Sequence, residues 1–147
     1  MTAKKRILYA ISLTLLLCLV ALPLVHAQEE NKPSVRGYLF YSQNCPTCPQ
    51  VREEVLPQLY AQYGQQLQVT AIDVQQEGNQ EWFLASLSKY DLPENGTDVP
   101  VLFIGEHALV GTDEIANQLP TLVESYANDT GVDFPDVPRP DGRLEPM

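Results

Sequence analysis

Residues 36–49 read RGYLFYSQNCPTCP, and how this stretch folds decides the rest of the chain. Arg36–Tyr41 has the length and the apolar, aromatic content of a buried central strand. It breaks off at the polar Ser42-Gln43-Asn44. Beyond the cysteines, Val51, Val55, Leu59 and Tyr63 recur every fourth residue, with Leu56 and Tyr60 widening the stripe. That spacing predicts a helix ended by Gly64 and kinked at Pro57. Cys45 and Cys48 therefore sit where a strand gives way to a helix. A cysteine at a helix N-terminus has its thiolate stabilised by unpaired backbone N–H groups and the helix dipole, which can lower its pKa from about 8.5 to roughly 3.5–7.5. Cys45 is the expected nucleophile. Cys48, one turn deeper, can attack a mixed disulfide from within and is the expected resolving residue. Pro46 and Thr47 complete the active-site loop, and Pro46 and Pro49, in or beside the first helical turn, stiffen it.

Working outward, Leu67, Val69 and Ala71 alternate with polar neighbours before Ile72 and Val74, a second strand ending near Asp73. Trp82, Phe83, Ser86, Leu87 and Tyr90 share a helical face, so a second helix is expected over about Asn79–Tyr90. Val101–Ile104 and Ala108–Val110, separated by Gly105-Glu106-His107, read as a hairpin. Gly111 ends it. Thr112 is the expected N-cap of a third helix, with Asp113 and Glu114 in its first turn, Ile115, Leu119, Leu122, Val123 and Tyr126 on its apolar face, and a bend at Pro120. Trp82, Tyr60, Tyr63 and Phe103 are expected in the core. From Gly131 the chain reads GVDFPDVPRPDGRLEPM, with four prolines and little periodicity. This predicts an extended tail tacked to the surface by Phe134. The order βαβαββα implies an α/β fold, a mixed four-stranded sheet with helices on both faces.

The 147 residues carry 9 Lys+Arg against 19 Asp+Glu, a formal charge of −10. A nucleic-acid partner is excluded on this balance, because neutralising phosphates needs clustered basic side chains. The basic residues Lys4, Lys5 and Arg6 precede the apolar run Ile7–Val25, and Val25-His26-Ala27 offers a cleavage site. Residues 1–27 are expected to be a signal peptide, the rival being an uncleaved N-terminal anchor weakened by Ser12, Thr14 and Pro23. Cys18, preceded by Leu17, is an apolar filler of that segment. The organisation expected is therefore 1–27 leader, 28–34 flexible lead-in, 35–128 folded domain and 129–147 Pro-rich tail. Cleavage removes three of the nine basic residues and none of the 19 acidic ones, leaving a formal charge of −13. The localisation expected is extracytoplasmic: periplasmic, secreted or held at the outer face of the cell membrane.

In an exported chain an even cysteine pair favours a disulfide, yet a bridge closing so short a loop removes little chain entropy. Chemistry explains the pair better than stapling, with a purely structural bridge as the bland alternative. Zinc takes about four ligands, and beyond the leader only Cys45, Cys48 and His107, a hairpin-turn residue, are available besides carboxylates. No metal site and no cofactor are expected. A Cu(I) carrier, which needs fewer and softer ligands, stands as the alternative, together with a redox-inert binding module.

On these residues the chain resembles the thioredoxin-like superfamily: CPTC follows the first strand, and Val99-Pro100 precedes the hairpin strand VLFI. The resemblance spans about Arg36–Tyr126. It implies that Pro100 is cis and lies against the cysteines, that the backbone of Val99 pairs with an extended substrate chain, and that the activity is thiol-disulfide exchange with protein partners. Asp98–Leu122, DVPVLFIGEHALVGTDEIANQLPTL, is similar to exported bacterial domains found with membrane quinone reductases of the vitamin K epoxide reductase type. That implies Cys-containing exported proteins and a membrane quinone-coupled disulfide oxidoreductase as partners. Departures from the thioredoxin pattern are Asn44 in place of the Trp before the first cysteine, Pro46-Thr47 rather than Gly-Pro between the two, and Leu39 where a buried aspartate assists the resolving cysteine. Nor does a histidine lie between the cysteines, which points to an intermediate reduction potential.

Overall fold

The computed structural model describes residues 33–137 and 139; the expected leader lies outside the described residues. The described chain forms β1 (Val35–Tyr41), a long helix α1, β2 (Leu67–Asp73), α2 (Asn79–Lys89), β3 (Val101–Ile104), β4 (His107–Val110) and α3 (Gly111–Ala127). Helix α1 begins at Cys48 and ends at Tyr63, followed by a 3-10 turn over Gly64–Gln66. Among the described residues the sheet order is β2-β1-β3-β4, with β1 parallel to β2 and antiparallel to β3, and β3 antiparallel to β4. This is an α/β arrangement, a mixed four-stranded sheet with helices packed on both faces.

Alternation along the strands builds two cores. Val35 and Leu39 of β1 and Leu102 and Ile104 of β3 face Val51, Leu56 and Leu59 of α1 and Ile115, Leu119 and Val123 of α3. Tyr38 and Phe40 of β1 and Val101 and Phe103 of β3 face Trp82, Phe83 and Leu87 of α2. A central strand packed on both faces reads as a continuous apolar run, which is why Arg36–Tyr41 is so legible. Phe40 makes edge-on contacts with Trp82 and Phe103 at centroid distances of 5.4 and 5.7 Å.

Where a kink at Pro57 was expected, the helix carries a π-helical segment just before it, Val51–Val55, in which the Leu56 N–H bonds the Val51 carbonyl. Proline has no N–H to return to the preceding turn and its ring crowds the carbonyl there, and the widened turn accommodates both. Pro120 lies inside α3, which continues past it to Ala127. Tyr60, expected in the core, is instead 36% exposed, its hydroxyl donating to the Val69 carbonyl at 3.1 Å. The β3–β4 turn needs glycine at 105. Its φ is +56°, and a Cβ there would run into the Tyr126 hydroxyl.

Residues 132–137 and 139 form no regular element, yet they pack against β1 and α2 and do not trail over the surface. Val132 forms a parallel bridge with Val35, exchanging hydrogen bonds of 2.9 and 2.8 Å with Arg36 N–H and Ser34 C=O. Phe134 stacks on Tyr38 at 4.9 Å. Val137 is buried, and its carbonyl accepts the Trp82 indole N–H at 3.0 Å. The Arg139 guanidinium lies 4.6 Å over the Trp82 ring and donates to Asn79 Oδ1 at 3.1 Å. Prolines and missing periodicity report the backbone conformation of this segment, whereas its burial follows from the aromatic surface that β1 and α2 offer it.

A chain ending at Gly131 is expected to lose about 2–5 kcal/mol, because the packing of Phe134 and Val137 and the indole's acceptor go together. A lower urea midpoint with red-shifted emission from the sole tryptophan, Trp82, checks it; unchanged emission contradicts it. A second expectation concerns Tyr90, whose hydroxyl donates to the Gly105 carbonyl at 2.5 Å. Burial, with smaller contributions from Tyr126 and Glu106, pushes its pKa from 10.0 to about 12. The folded state then holds this proton more tightly than the unfolded chain, so its contribution is complete below pH about 10 and is lost as the pH climbs toward about 12. Urea midpoints across that window should fall less steeply for Tyr90→Phe than for the parent.

Candidate active site

Four connections meet at one end of the sheet. β1 ends at Tyr41, opposite Asp73 at the end of parallel β2. Antiparallel β3 begins there, with Val101 opposite Phe40, and β4 ends there, with Val110 opposite Val101. The 42–47 loop, the turn after Asp73, Val99-Pro100 and the start of α3 therefore converge. With α1 packed on one face and α2 on the other, these connections lie at the carboxyl end of β1, where open α/β sheets place their sites.

Ser42 shapes the first of these loops. Its carbonyl accepts Cys45 N–H at 3.2 Å and its hydroxyl accepts Asn44 N–H at 3.1 Å, a local turn that aims the chain into α1. Cys45 and Cys48 are joined as a disulfide with Cα atoms 5.4 Å apart. The two sulfur environments differ. Cys48, first residue of α1, is 1% exposed among the apolar side chains, whereas Cys45 is half-buried at the rim. The Cys48 N–H donates to Cys45 Sγ at 3.1 Å, so a free N–H of the helix N-terminus points at the sulfur that a partner can reach.

The Val99 carbonyl oxygen lies 3.5 Å from Cys45 Sγ, and the Val99–Pro100 bond is cis. Pro100 is buried, and its carbonyl accepts Gly111 N–H at 2.8 Å, tying the start of β3 to the start of α3. Pro46 and Thr47 are exposed, with Thr47 Oγ1 3.7 Å from Cys45 Sγ. Leu39 is fully buried in the core beside Val51, so that strand position brings no carboxylate toward Cys48. Glu53 and Glu54 are exposed, and Arg52 lies over the Tyr41 ring at 4.3 Å.

Two features of the site were not read from the sequence. Asp73 is 4% exposed; its carboxylate accepts from Gln43 Nε2 and Gln75 N–H, both at 3.0 Å. It thereby ties the end of β2 to the loop before Cys45. The only sequence signal was an acidic residue closing an apolar strand. Thr112, expected as the N-cap of α3, does not cap it. Val110 is the capping residue, and its N–H bonds Glu114 Oε2 at 2.8 Å. The Thr112 hydroxyl instead crosses to the 42–47 loop and donates to the Thr47 carbonyl at 3.2 Å. Gly111, with φ +80°, turns the chain one residue earlier than the expected cap. Among the described residues no group of three or more His, Cys, Asp or Glu is placed to hold a metal ion.

No protein-family model matches the chain, and a comparison with curated proteins gave no match. Among solved structures the chain is similar to thioredoxin O2 of Arabidopsis thaliana in its oxidized state, at 19% identity and a TM-score of 0.46, over 65% of this chain and 76% of that one.

Proposed function

We propose that the protein is an exported thiol-disulfide oxidoreductase that exchanges disulfides with protein partners through Cys45 and Cys48. The observation that carries this reading is the asymmetry of the pair: Cys45 is reachable and faces the Cys48 N–H, while Cys48 is sealed in the core. A partner thiolate attacks Cys45 Sγ, the Cys45–Cys48 bond breaks, and Cys48 leaves as a thiolate that takes a proton from water. The partner's second thiolate then attacks its own bridged sulfur and releases Cys45. The partner dithiol is oxidised by two electrons and the pair is reduced. Run in reverse, Cys45 attacks a partner disulfide and Cys48 resolves the adduct.

The edge formed by Val99 and Pro100 is the proposed seat of the partner's backbone, since the Val99 carbonyl already borders the reactive sulfur. Exchange so built needs no cofactor. The basic and apolar run of residues 1–27 supports export, and with it Cys-containing exported proteins as partners. The similarity of Asp98–Leu122 to domains that accompany quinone reductases supports a membrane quinone-coupled oxidoreductase as the protein that resets the pair.

Cys48→Ser is expected to accumulate mixed disulfides through Cys45, visible as adducts on gels run without reductant and absent from a variant with both cysteines changed to Ser. A Cys48→Ser protein that forms no Cys45-dependent adduct with exported proteins removes the exchange mechanism.

A further inference from the structure

The Thr47–Cys48 peptide is engaged at both ends. Its N–H donates to Cys45 Sγ at 3.1 Å, and its carbonyl accepts the Thr112 hydroxyl at 3.2 Å as well as Gln50 N–H at 3.2 Å. The Gln50 bond spans three residues, the 3-10-type bond with which helices commonly open. The Thr112 bond is not local. It comes from a side chain 65 residues away, 8% exposed, on a different helix. A hydroxyl in that position has its own helix's termini to serve and here does not serve them. We propose that Thr112 is a positioning residue for the reactive sulfur, acting through the Thr47–Cys48 peptide to set how strongly Cys45 is stabilised as a thiolate. The proposal rests on the redox reading of the pair and goes beyond it by assigning part of that stabilisation to a residue outside the CPTC loop.

The physical argument has two parts. A donor on the carbonyl polarises the peptide and strengthens the hydrogen bond made by its N–H, as chains of hydrogen bonds do in a medium of low dielectric. The same bond also fixes the plane of the peptide, so that the N–H stays aimed at Sγ when the disulfide opens and negative charge gathers there. A donor held in place before charge appears stabilises it more than one that must reorient. The counterpoise is the Val99 carbonyl, whose oxygen lies 3.5 Å from the same sulfur and disfavours the anion. With an acceptor on one side, the strength of the donor on the other decides how much thiolate is present. The charged groups on the segments that meet here include Asp73 and Glu77, Arg52, Glu53 and Glu54, Asp98, and Asp113, Glu114 and Glu124 of α3. A change confined to the hydroxyl at 112 leaves all of them in place.

The test compares Thr112→Val, which keeps the shape and removes the hydroxyl, with Thr112→Ser, which keeps the hydroxyl. Reduced protein is alkylated with iodoacetamide over a range of pH, and modification of Cys45 is followed by mass spectrometry. Below the Cys45 pKa the valine variant is expected to react about threefold more slowly than the parent, with the profile displaced to higher pH, while the serine variant follows the parent. In glutathione buffers the valine variant should move about threefold toward the disulfide, because the reduced form has lost stabilisation. If valine unfolds the protein, Thr112→Ala carries the same comparison. A folded variant without the hydroxyl whose Cys45 profile coincides with the parent's overturns the proposal, as does a serine variant displaced as far as valine. The outcome is independent of whether Cys48→Ser traps partners: missing adducts count against the exchange reading, whereas an unmoved alkylation profile counts against Thr112 alone.

Discussion

Strand β1 is hydrogen-bonded along both edges and buried on both faces, and the position of every reactive group depends on where it ends. Its pairing with β3 is antiparallel, so the residues that precede β3 are delivered to the place where β1 stops. The loop carrying Cys45 leaves β1 at that point, and this brings the Val99 carbonyl against a sulfur 54 residues away. The burial of Phe40 and Leu39 in opposite cores fixes the strand's register and its facing. A slip of one residue would place the aromatic side chains in the aliphatic core and move Cys45 away from the carbonyl.

What could be read from residues alone was whatever depends on local chemistry. The strand, the spacing of the CPTC pair and the helix behind it are short-range signals, and the two-faced burial of β1 gives an unbroken apolar run instead of an alternating one. The hairpin was legible because Gly105 has to sit at its turn. The misreadings share a cause. Thr112 lies where a capping threonine would lie, but the chain turned at Gly111, and the hydroxyl found its acceptor 65 residues away. Tyr60 has the spacing of a core residue on α1, yet the π-helical turn before Pro57 lies upstream of it in that stripe, and its hydroxyl reaches the Val69 carbonyl. The segment after Gly131 has the composition of a tail, and only the aromatic face offered by Tyr38 and Trp82 decides that it docks.

The site's polar groups are supported from elements that contribute no chemistry of their own. Gln43 is held by Asp73, the Asp73 carbonyl by Asn79 at 2.9 Å, and Asn79 by Arg139. Thr47 is held by Thr112, and Pro100 by Gly111. Each of these loops is thus pinned to a neighbouring element, and tertiary hydrogen bonds of this kind favour a single arrangement over an ensemble.

That chain of contacts also sets the order in which the central strand can be covered as the protein folds. β1 comes early in the chain, but its second edge stays unpaired until residues 101–104 dock, and its aromatic face is not covered until Phe134 and Val137 follow. Until then the central strand is an apolar ribbon with an open edge, the state in which chains pair wrongly with one another. A holdase that keeps β1 covered until residues 132–137 are free to dock would serve this protein more than one acting on any later strand.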